Sequence, residues 1–312
     1  MKIVFAGTPL NAAQTLRALH QSGIEIVGVV TRPDAPVGRK KVMTPSAVAQ
    51  VAEELSLPLI KSNQIDDQTL EQIGVWNPDL GLVVAYGAFL GQRALNAISK
   101  GWINLHYSLL PKYRGAAPVQ HALLSGETLT GVSVFQLDPG MDTGAIFLQV
   151  PTQIETGESA GRLLDRLTEI GITALKEVLP AIASGVAIAT VQDDVVASFA
   201  PKITREQAKI NWSISSRQIE NLIRAMNPEP IAWTEYNGDS IKIIEARAVS
   251  DEIRPTTSMS PGTVFQHNDE IFVLCADSAL SLSFVQPAGK PQMSASDWFR
   301  GQQKKDSIAF DS

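Results

Sequence analysis

The chain has 312 residues, 44% hydrophobic and 19% charged, with 26 basic against 32 acidic residues and a net charge of -6. These proportions exclude wholesale disorder and a disulfide-built miniature fold, and the acidic total argues mildly against a general polyanion-binding surface. A single cysteine, Cys275, excludes an intramolecular disulfide; with no export signal in MKIVFAGTPL, it points to a reducing cytoplasm. No apolar run reaches the roughly 18 residues needed to cross a bilayer, and at roughly 150 residues per domain the length suggests two domains.

The first part alternates strand-like and helix-like runs. Lys2–Ala6 reads as a strand, Leu10–His20 as a helix, and the β-branched run Glu25–Thr31 as a strand. Thr44 and Pro45 offer an N-cap and a first helical position for a helix over Thr44–Leu55. Leu57–Lys61 is a short strand, Asp66–Ile73 a helix, and Leu80–Tyr86 a continuous apolar run suited to a strand buried on both faces. Gln92–Ile98 is helix-like, and Trp102–His106 is the next strand. This rhythm predicts an α/β fold with a doubly wound, mainly parallel sheet, whose ligands sit at the carboxyl ends of the strands. Beyond Gly131, Val132–Leu137 and Ala145–Val150 flank the turn DPGMDTG like an antiparallel pair, and Ala160–Ala183 is a long amphipathic helix.

The style changes within 186–210, and the boundary is set between residues 201 and 202. One helix, Ser215–Met226, precedes short strands at Ala232–Tyr236, Ile241–Ala248, Gly262–Gln266, Ile271–Cys275 and Leu280–Val285. Turns at Asn237–Gly238 and Asn268–Asp269 separate some of them, a pattern that predicts a smaller C-terminal β-barrel or sandwich. Both parts are acidic: residues 1–201 carry 14 Lys+Arg and 18 Asp+Glu, and residues 202–312 carry 12 and 14.

Familiar nucleotide motifs are missing. The first turn, Gly7-Thr8-Pro9, has one glycine where a dinucleotide fingerprint needs three, and no phosphate-binding GxxxxGK[ST] occurs. The histidines, His20, His106, His121 and His267, have no metal-binding spacing, so no metal is expected. Chemistry concentrates instead in Asn104-Leu105-His106-Tyr107-Ser108-Leu109-Leu110-Pro111, at the end of a predicted strand, and in Asp138-Pro139-Gly140-Met141-Asp142-Thr143-Gly144. Asn104 and His106 share a face because the strand period is two. An imidazole can move a proton at neutral pH, a carboxylate can orient it, and an amide N–H can meet a developing oxyanion. Those three groups suit acyl transfer to an amine without a covalent nucleophile. Each also has a bland reading, a structural strand-end histidine or a turn aspartate, so spacing alone leaves the activity open.

The run NLHYSLLPKYRGAAPVQ followed by GVSVFQLDPGMDTG resembles the folate-dependent formyltransferases. With KIVFAGTPLNAAQTL, RPDAPVGRKKVMTPSAVAQVA, PDLGLVVAYGAFL, KITREQAKINW, IRAMNPEP and VQPAGKPQMSASDWFRGQ, the likeness to the methionyl-tRNA formyltransferase family covers nearly the whole chain. The resemblance implies formyl transfer from 10-formyltetrahydrofolate to the α-amine of methionyl initiator tRNA. It implies catalytic roles for Asn104, His106 and Asp142, and folate binding by Ser108, Leu109, Leu110 and Pro111. In that scheme Asn104 and His106 polarise the formyl oxygen, Asp142 sustains the charge on His106, and a water or Asp142 relays the amine proton to the departing N10 of the folate. The resemblance makes 202–312 an oligonucleotide-binding-type (OB-like) barrel that binds tRNA, and 1–201 the catalytic domain.

Arg39, Lys40 and Lys41 match the family's inserted loop, which contacts the acceptor stem, although the loop is one residue shorter than the GRGKK form. Pro33, Pro36 and Gly38 predict an irregular loop, ordered only with tRNA. Lys112 and Arg114, and Lys202, Arg205, Lys209, Arg217 and Arg224 in the second part, are further candidate phosphate contacts. Tyr107 stands where many relatives have a smaller residue and is expected to reshape the cleft wall. The expected partners are tRNA and folate, not a membrane, for a monomeric chain. A formyltransferase acting on a nucleotide-linked amino sugar is the alternative; a silent RNA-binding module and a glycinamide ribonucleotide enzyme rank below it.

Overall fold

Ile3–Gly7 is a run of five buried residues and forms a central strand, β1. Leu10–Gln21 (α1) follows, then Ile26–Thr31 (β2), Ala35–Val37 (β3), Val42–Thr44 (β4), Ala47–Glu54 (α2), Leu59–Lys61 (β5) and Asp67–Val75 (α3). Leu80–Val84 (β6), Gln92–Asn96 (α4), Trp102–His106 (β7), Pro118–Leu124 (α5), Leu129–Gln136 (β8), Ile146–Gln153 (β9) and Ala160–Ser184 (α6) complete the first half. A computed structural model describes residues 1–38, 40–249, 253, 260–303 and 308–311. The chain divides into two compact units, one of 1–118, 129–153 and 164–201, the other of 119–128, 154–163 and 202–312.

The first unit is the expected α/β fold. Its seven-stranded sheet has the order β5-β2-β1-β6-β7-β8-β9. The first five are parallel; β8 runs antiparallel to β7 and β9 antiparallel to β8, with Val132 opposite Val150. Strand order reverses between β1 and β6, so the carboxyl ends of β1, β6 and β7 border the switch point where such sheets bind ligands. Two close approaches fix the helix layers. Gly28 on β2 lies under Trp76, and Gly81 on β6 under Trp102, whose indole N–H donates to the Ala94 carbonyl at 2.8 Å.

Three local features differ from the sequence reading. The second helix starts later, because Ser46, not Thr44, is its N-cap and accepts the Ala49 N–H; Thr44 instead ends β4. The predicted irregular loop is a hairpin, β3 against β4, with Pro36 opposite Met43 and Val37 opposite Val42. Proline is tolerated there because both strands of a two-stranded ribbon are edges, and Gly38 and Lys41 take up positive φ at the tip. Helix α5 arises where patterning predicts no element.

In the second unit, the capping box Ser215/Gln218 starts Ser216–Met226 (α7). Trp233–Tyr236 (β10), Asp239–Ala248 (β11), Val264–His267 (β12), Glu270–Leu274 (β13), Ala279–Pro287 (β14), Met293–Ser294 (β15) and Ala295–Arg300 (α8) follow. The antiparallel order is β10-β11-β14-β13-β12, with β15 on β14. Residues near the C-terminus draw the two edges together: Asp311 bridges Glu235 on β10, and Ala309 bridges Thr263 beside β12. The curled sheet encloses Trp212, Ile219, Ile243, Val273, Leu280 and Phe310.

Candidate active site

Strand β7 delivers Asn104 and His106 two residues apart to one face, at its carboxyl end. The Asn104 Oδ1 atom is buried and has no hydrogen-bond partner among the described residues. His106 is only 5% exposed, with the Phe135 ring edge-on at 6.3 Å. Its Nε2 lies 2.9 Å from the Tyr113 carbonyl oxygen. A carbonyl can only accept, so Nε2 carries the hydrogen and Nδ1 is the free nitrogen of the neutral ring. Nδ1 stands 3.8 Å from Asp142 Oδ2. Burial pushes the His106 pKa below the usual histidine value, against the opposing pull of the Asp142 carboxylate and the Tyr113 carbonyl. The resting imidazole is therefore neutral at pH 7.

Asp142 arrives from the turn between β8 and β9. Its backbone is left-handed, φ 55°, and Oδ2 accepts the Gly115 N–H at 2.7 Å. Asp138 does the turn chemistry, accepting the Gly140 N–H at 3.0 Å and the Thr143 hydroxyl at 2.7 Å. The arrangement thus joins an amide whose Nδ2 hydrogens can donate to an oxyanion, a buried neutral imidazole, and a carboxylate beside it that favours moving one proton.

Ser108–Pro111 continue directly from β7 and are folded by two residues that sequence patterning does not single out. Ser133 on β8 donates to the Ser108 carbonyl at 2.7 Å and accepts the Leu110 N–H at 3.0 Å. Gln149 on β9 donates to the Leu110 carbonyl at 2.8 Å and to Ser133 Oγ at 3.0 Å. The Ser108 hydroxyl turns back to the Lys112 carbonyl, and Ser108 and Leu110 are buried. Leu109 and Pro111 are the partly exposed side chains of this turn.

Tyr107 does not form a cleft wall beside His106. Its hydroxyl accepts from Asn11 Nδ2 on α1 at 2.8 Å, with Thr15 of α1 and Thr168 of α6 beside it, because the residue after His106 faces the opposite side. Burial pushes its phenol pKa up. Arg114 is also not a surface cation. It is 4% exposed, and its guanidinium donates to Gln192 Oε1 and Asp194 Oδ1.

Among the other basic candidates, Lys40 and Lys41 are exposed at the β3–β4 tip, while Arg39 lies outside the described residues. Arg205 and Lys209 come together over Trp233, at 5.3 and 5.6 Å from the ring centre. Arg217 pairs with Glu220, and Arg224 donates to Asn221 and the Glu158 carbonyl, so both are engaged along α7. Lys202 and Lys112 are exposed. The Trp233 pairing has no local signal, since its members come from separate segments.

Residues 1–179 match the family model described as formyl transferase, and residues 202–303 the model described as formyl transferase, C-terminal domain. The sequence is 43% identical to the methionyl-tRNA formyltransferase of Renibacterium salmoninarum, over 99% of each chain. It is 42% identical to that of Clavibacter sepedonicus, over 99% of this chain and 100% of the other. Two solved structures share the fold. The N-formyltransferase of Helicobacter canadensis, in complex with folinic acid and dTDP-3-aminofucose, gives a TM-score of 0.67 at 19% identity, covering 92% of this chain and 99% of that one. The methionyl-tRNA formyltransferase of Clostridium thermocellum gives 0.56 at 17% identity, covering 88% and 99%. At these identities both likenesses speak to the fold alone.

Proposed function

The chain belongs to the methionyl-tRNA formyltransferase family, and from that membership we propose that it moves a formyl group from 10-formyltetrahydrofolate to the α-amine of methionine on initiator tRNA. The observation that carries this reading is full-length likeness to such enzymes combined with the convergence of Asn104, His106 and Asp142 at the carboxyl end of β7. The amino-sugar alternative has only low-identity likeness of fold behind it.

The residues divide the work. The Asn104 amide meets the formyl oxygen as it gains negative charge. The neutral amine attacks, and esterification of methionine, which lowers its basicity, raises the neutral fraction. His106 holds its Nε2 hydrogen on the Tyr113 carbonyl, so Nδ1 is the atom that takes the proton released by the attacking amine. The Asp142 carboxylate, 3.8 Å away, favours the imidazolium thus formed. From Nδ1 the proton goes on to the departing folate nitrogen. This assigns His106 a base-then-acid role in place of polarising the formyl oxygen, because the resting ring has no hydrogen on Nδ1. The turn Ser108–Pro111, braced by Ser133 and Gln149, is the segment we assign to folate. Lys40 and Lys41, together with Arg39, are the assigned acceptor-stem contacts. Arg205, over Trp233, is the assigned phosphate contact of the C-terminal region, which we take as tRNA-binding; Lys209 beside it is paired with Glu235.

Steady-state kinetics of Asn104→Ala, His106→Ala and Asp142→Asn test the assignment. Loss of the oxyanion partner is expected to lower kcat about 10²-fold or more, and loss of the base or its carboxylate about 10²–10⁴-fold. Near-normal turnover in His106→Ala or Asp142→Asn overturns it.

A further inference from the structure

We propose that Gln192 is a positioning residue for Asp142, an inference that rests on the catalytic role assigned to that carboxylate. Gln192 lies between the two stretches matched by family models, 1–179 and 202–303, in a segment with no regular secondary structure. It is nevertheless 8% exposed, and its amide is saturated. Nε2 donates to the Asp142 carbonyl at 2.8 Å and to the Gly144 carbonyl at 2.7 Å. Oε1 accepts from Arg114 Nε at 3.1 Å and Nη2 at 2.7 Å. An arginine only donates and a carbonyl only accepts, so the orientation of the amide is unambiguous.

What this amide holds is the carbonyl side of the turn, which the Asp138 carboxylate, as an acceptor, does not engage. Asp142 has φ 55°, the left-handed region that aspartate tolerates better than most side chains but that still needs its neighbours to fix it. Gln192 grips the chain on both sides of Thr143 and fixes that conformation. The other half of the grip is Arg114, buried and anchored on Asp194 Oδ1 at 2.7 Å. Its main chain pairs with 198–200, through Arg114 N–H to the Ser198 carbonyl at 2.8 Å and Ala200 N–H to the Arg114 carbonyl at 2.7 Å.

Three consecutive residues thereby serve the reacting pair. The Tyr113 carbonyl takes the His106 Nε2 hydrogen, Arg114 holds the Asp142 main chain through Gln192, and the Gly115 N–H holds the Asp142 carboxylate. Gly115 needs its glycine, with φ 121° and a would-be Cβ 2.7 Å from the Ala200 carbonyl oxygen. Gln192 links this strip to the Asp142 turn, and without it the carboxylate keeps one tether.

The test compares Gln192→Glu, Gln192→Leu and Asp142→Asn in full-length protein, at a temperature well below melting. Gln192→Glu keeps an oxygen for Arg114, and so a folded chain, but turns a second oxygen toward two carbonyls and removes both donors. Displacing a reacting group by about 1 Å can cost about 10²-fold. The expected result is kcat down about 10- to 100-fold in Gln192→Glu, as in Gln192→Leu, with KM for both substrates within about threefold. If Gln192→Leu does not fold, Gln192→Glu decides alone. Wild-type kcat in Gln192→Glu beside an inactive Asp142→Asn overturns the positioning role and leaves the catalytic reading standing. Wild-type kcat in Asp142→Asn overturns both.

Discussion

Replacing Ser133 by alanine perturbs the assigned folate turn from beneath, without touching a ligand. The Ser133 hydroxyl is fully buried and uses its whole capacity, one donor to the Ser108 carbonyl and two acceptor sites for the Leu110 N–H and Gln149 Nε2. Alanine keeps the packing and removes all three bonds. Gln149 retains the Leu110 carbonyl, but the Ser108 carbonyl and the Leu110 N–H lose this partner. A buried group left unmet costs about 1–3 kcal/mol, so two give roughly 2–6 kcal/mol. Partly exposed Leu109 and Pro111 let the turn relax, which favours about 2–4 kcal/mol and a fall of about 4–16 °C in the melting of the first unit. Calorimetry reads that fall. Kinetics at a temperature where the variant is folded are expected to show folate KM up about tenfold with kcat within about threefold, the pattern of lost binding common to ground and transition states. A stability loss under about 0.5 kcal/mol, the range of neutral surface changes, together with an unchanged folate KM refutes the account of how Ser108–Pro111 is held.

Other perturbations bear on the same fold and site. Because burial lowers the His106 pKa in the folded chain below the unfolded value of about 6.5, the unfolded chain binds more protons in that window, and stability falls as pH drops below about 6.5. Denaturation from pH 7 to 5 is expected to show this slope in wild type and a flatter one in His106→Gln; equal slopes contradict it. Asp66 and Asp297, held below the usual carboxylate range by the Thr69 N–H and the Ser294 hydroxyl, withdraw their contribution only below about pH 4, so the windows are separate. Gly81→Ala puts a Cβ 2.1 Å from Trp102 Cε3, in a layer with no room, and is expected to cost about 3 kcal/mol or more, read by denaturant unfolding. The double variant Lys40→Ala/Lys41→Ala is expected to weaken tRNA binding and flatten its salt dependence by about one unit per lost phosphate contact, leaving folate KM unchanged. An unaltered salt slope removes the hairpin from the tRNA surface.

Much of the first unit is legible in the sequence because its signals are local. The strand at Trp102–His106 and the antiparallel pair around DPGMDTG follow from runs of neighbouring residues, and so does the shared face of Asn104 and His106. The hairpin was obscured by Pro36 and Gly38, whose composition reads as a loop when their partner strand is only three residues long. Gln192 was invisible for a different reason. Its partners Asp142, Gly144 and Arg114 lie 50, 48 and 78 positions away, and a lone glutamine in an irregular stretch has no periodicity to betray it. Arg114 is hidden in the same way: basic residues near a binding motif suggest a surface cation, and only the fold shows the guanidinium turned inward onto Gln192. Tyr107 is the converse case, since strand alternation from His106 already implied a side chain facing away.

The central claim is tested most directly by incubating the protein with 10-formyltetrahydrofolate and methionyl initiator tRNA, methionyl elongator tRNA or a nucleotide-linked amino sugar, and measuring the formylated product. The account predicts rapid formation of formylmethionyl initiator tRNA and little product on the other two; formylation of the amino sugar with none on initiator tRNA contradicts it.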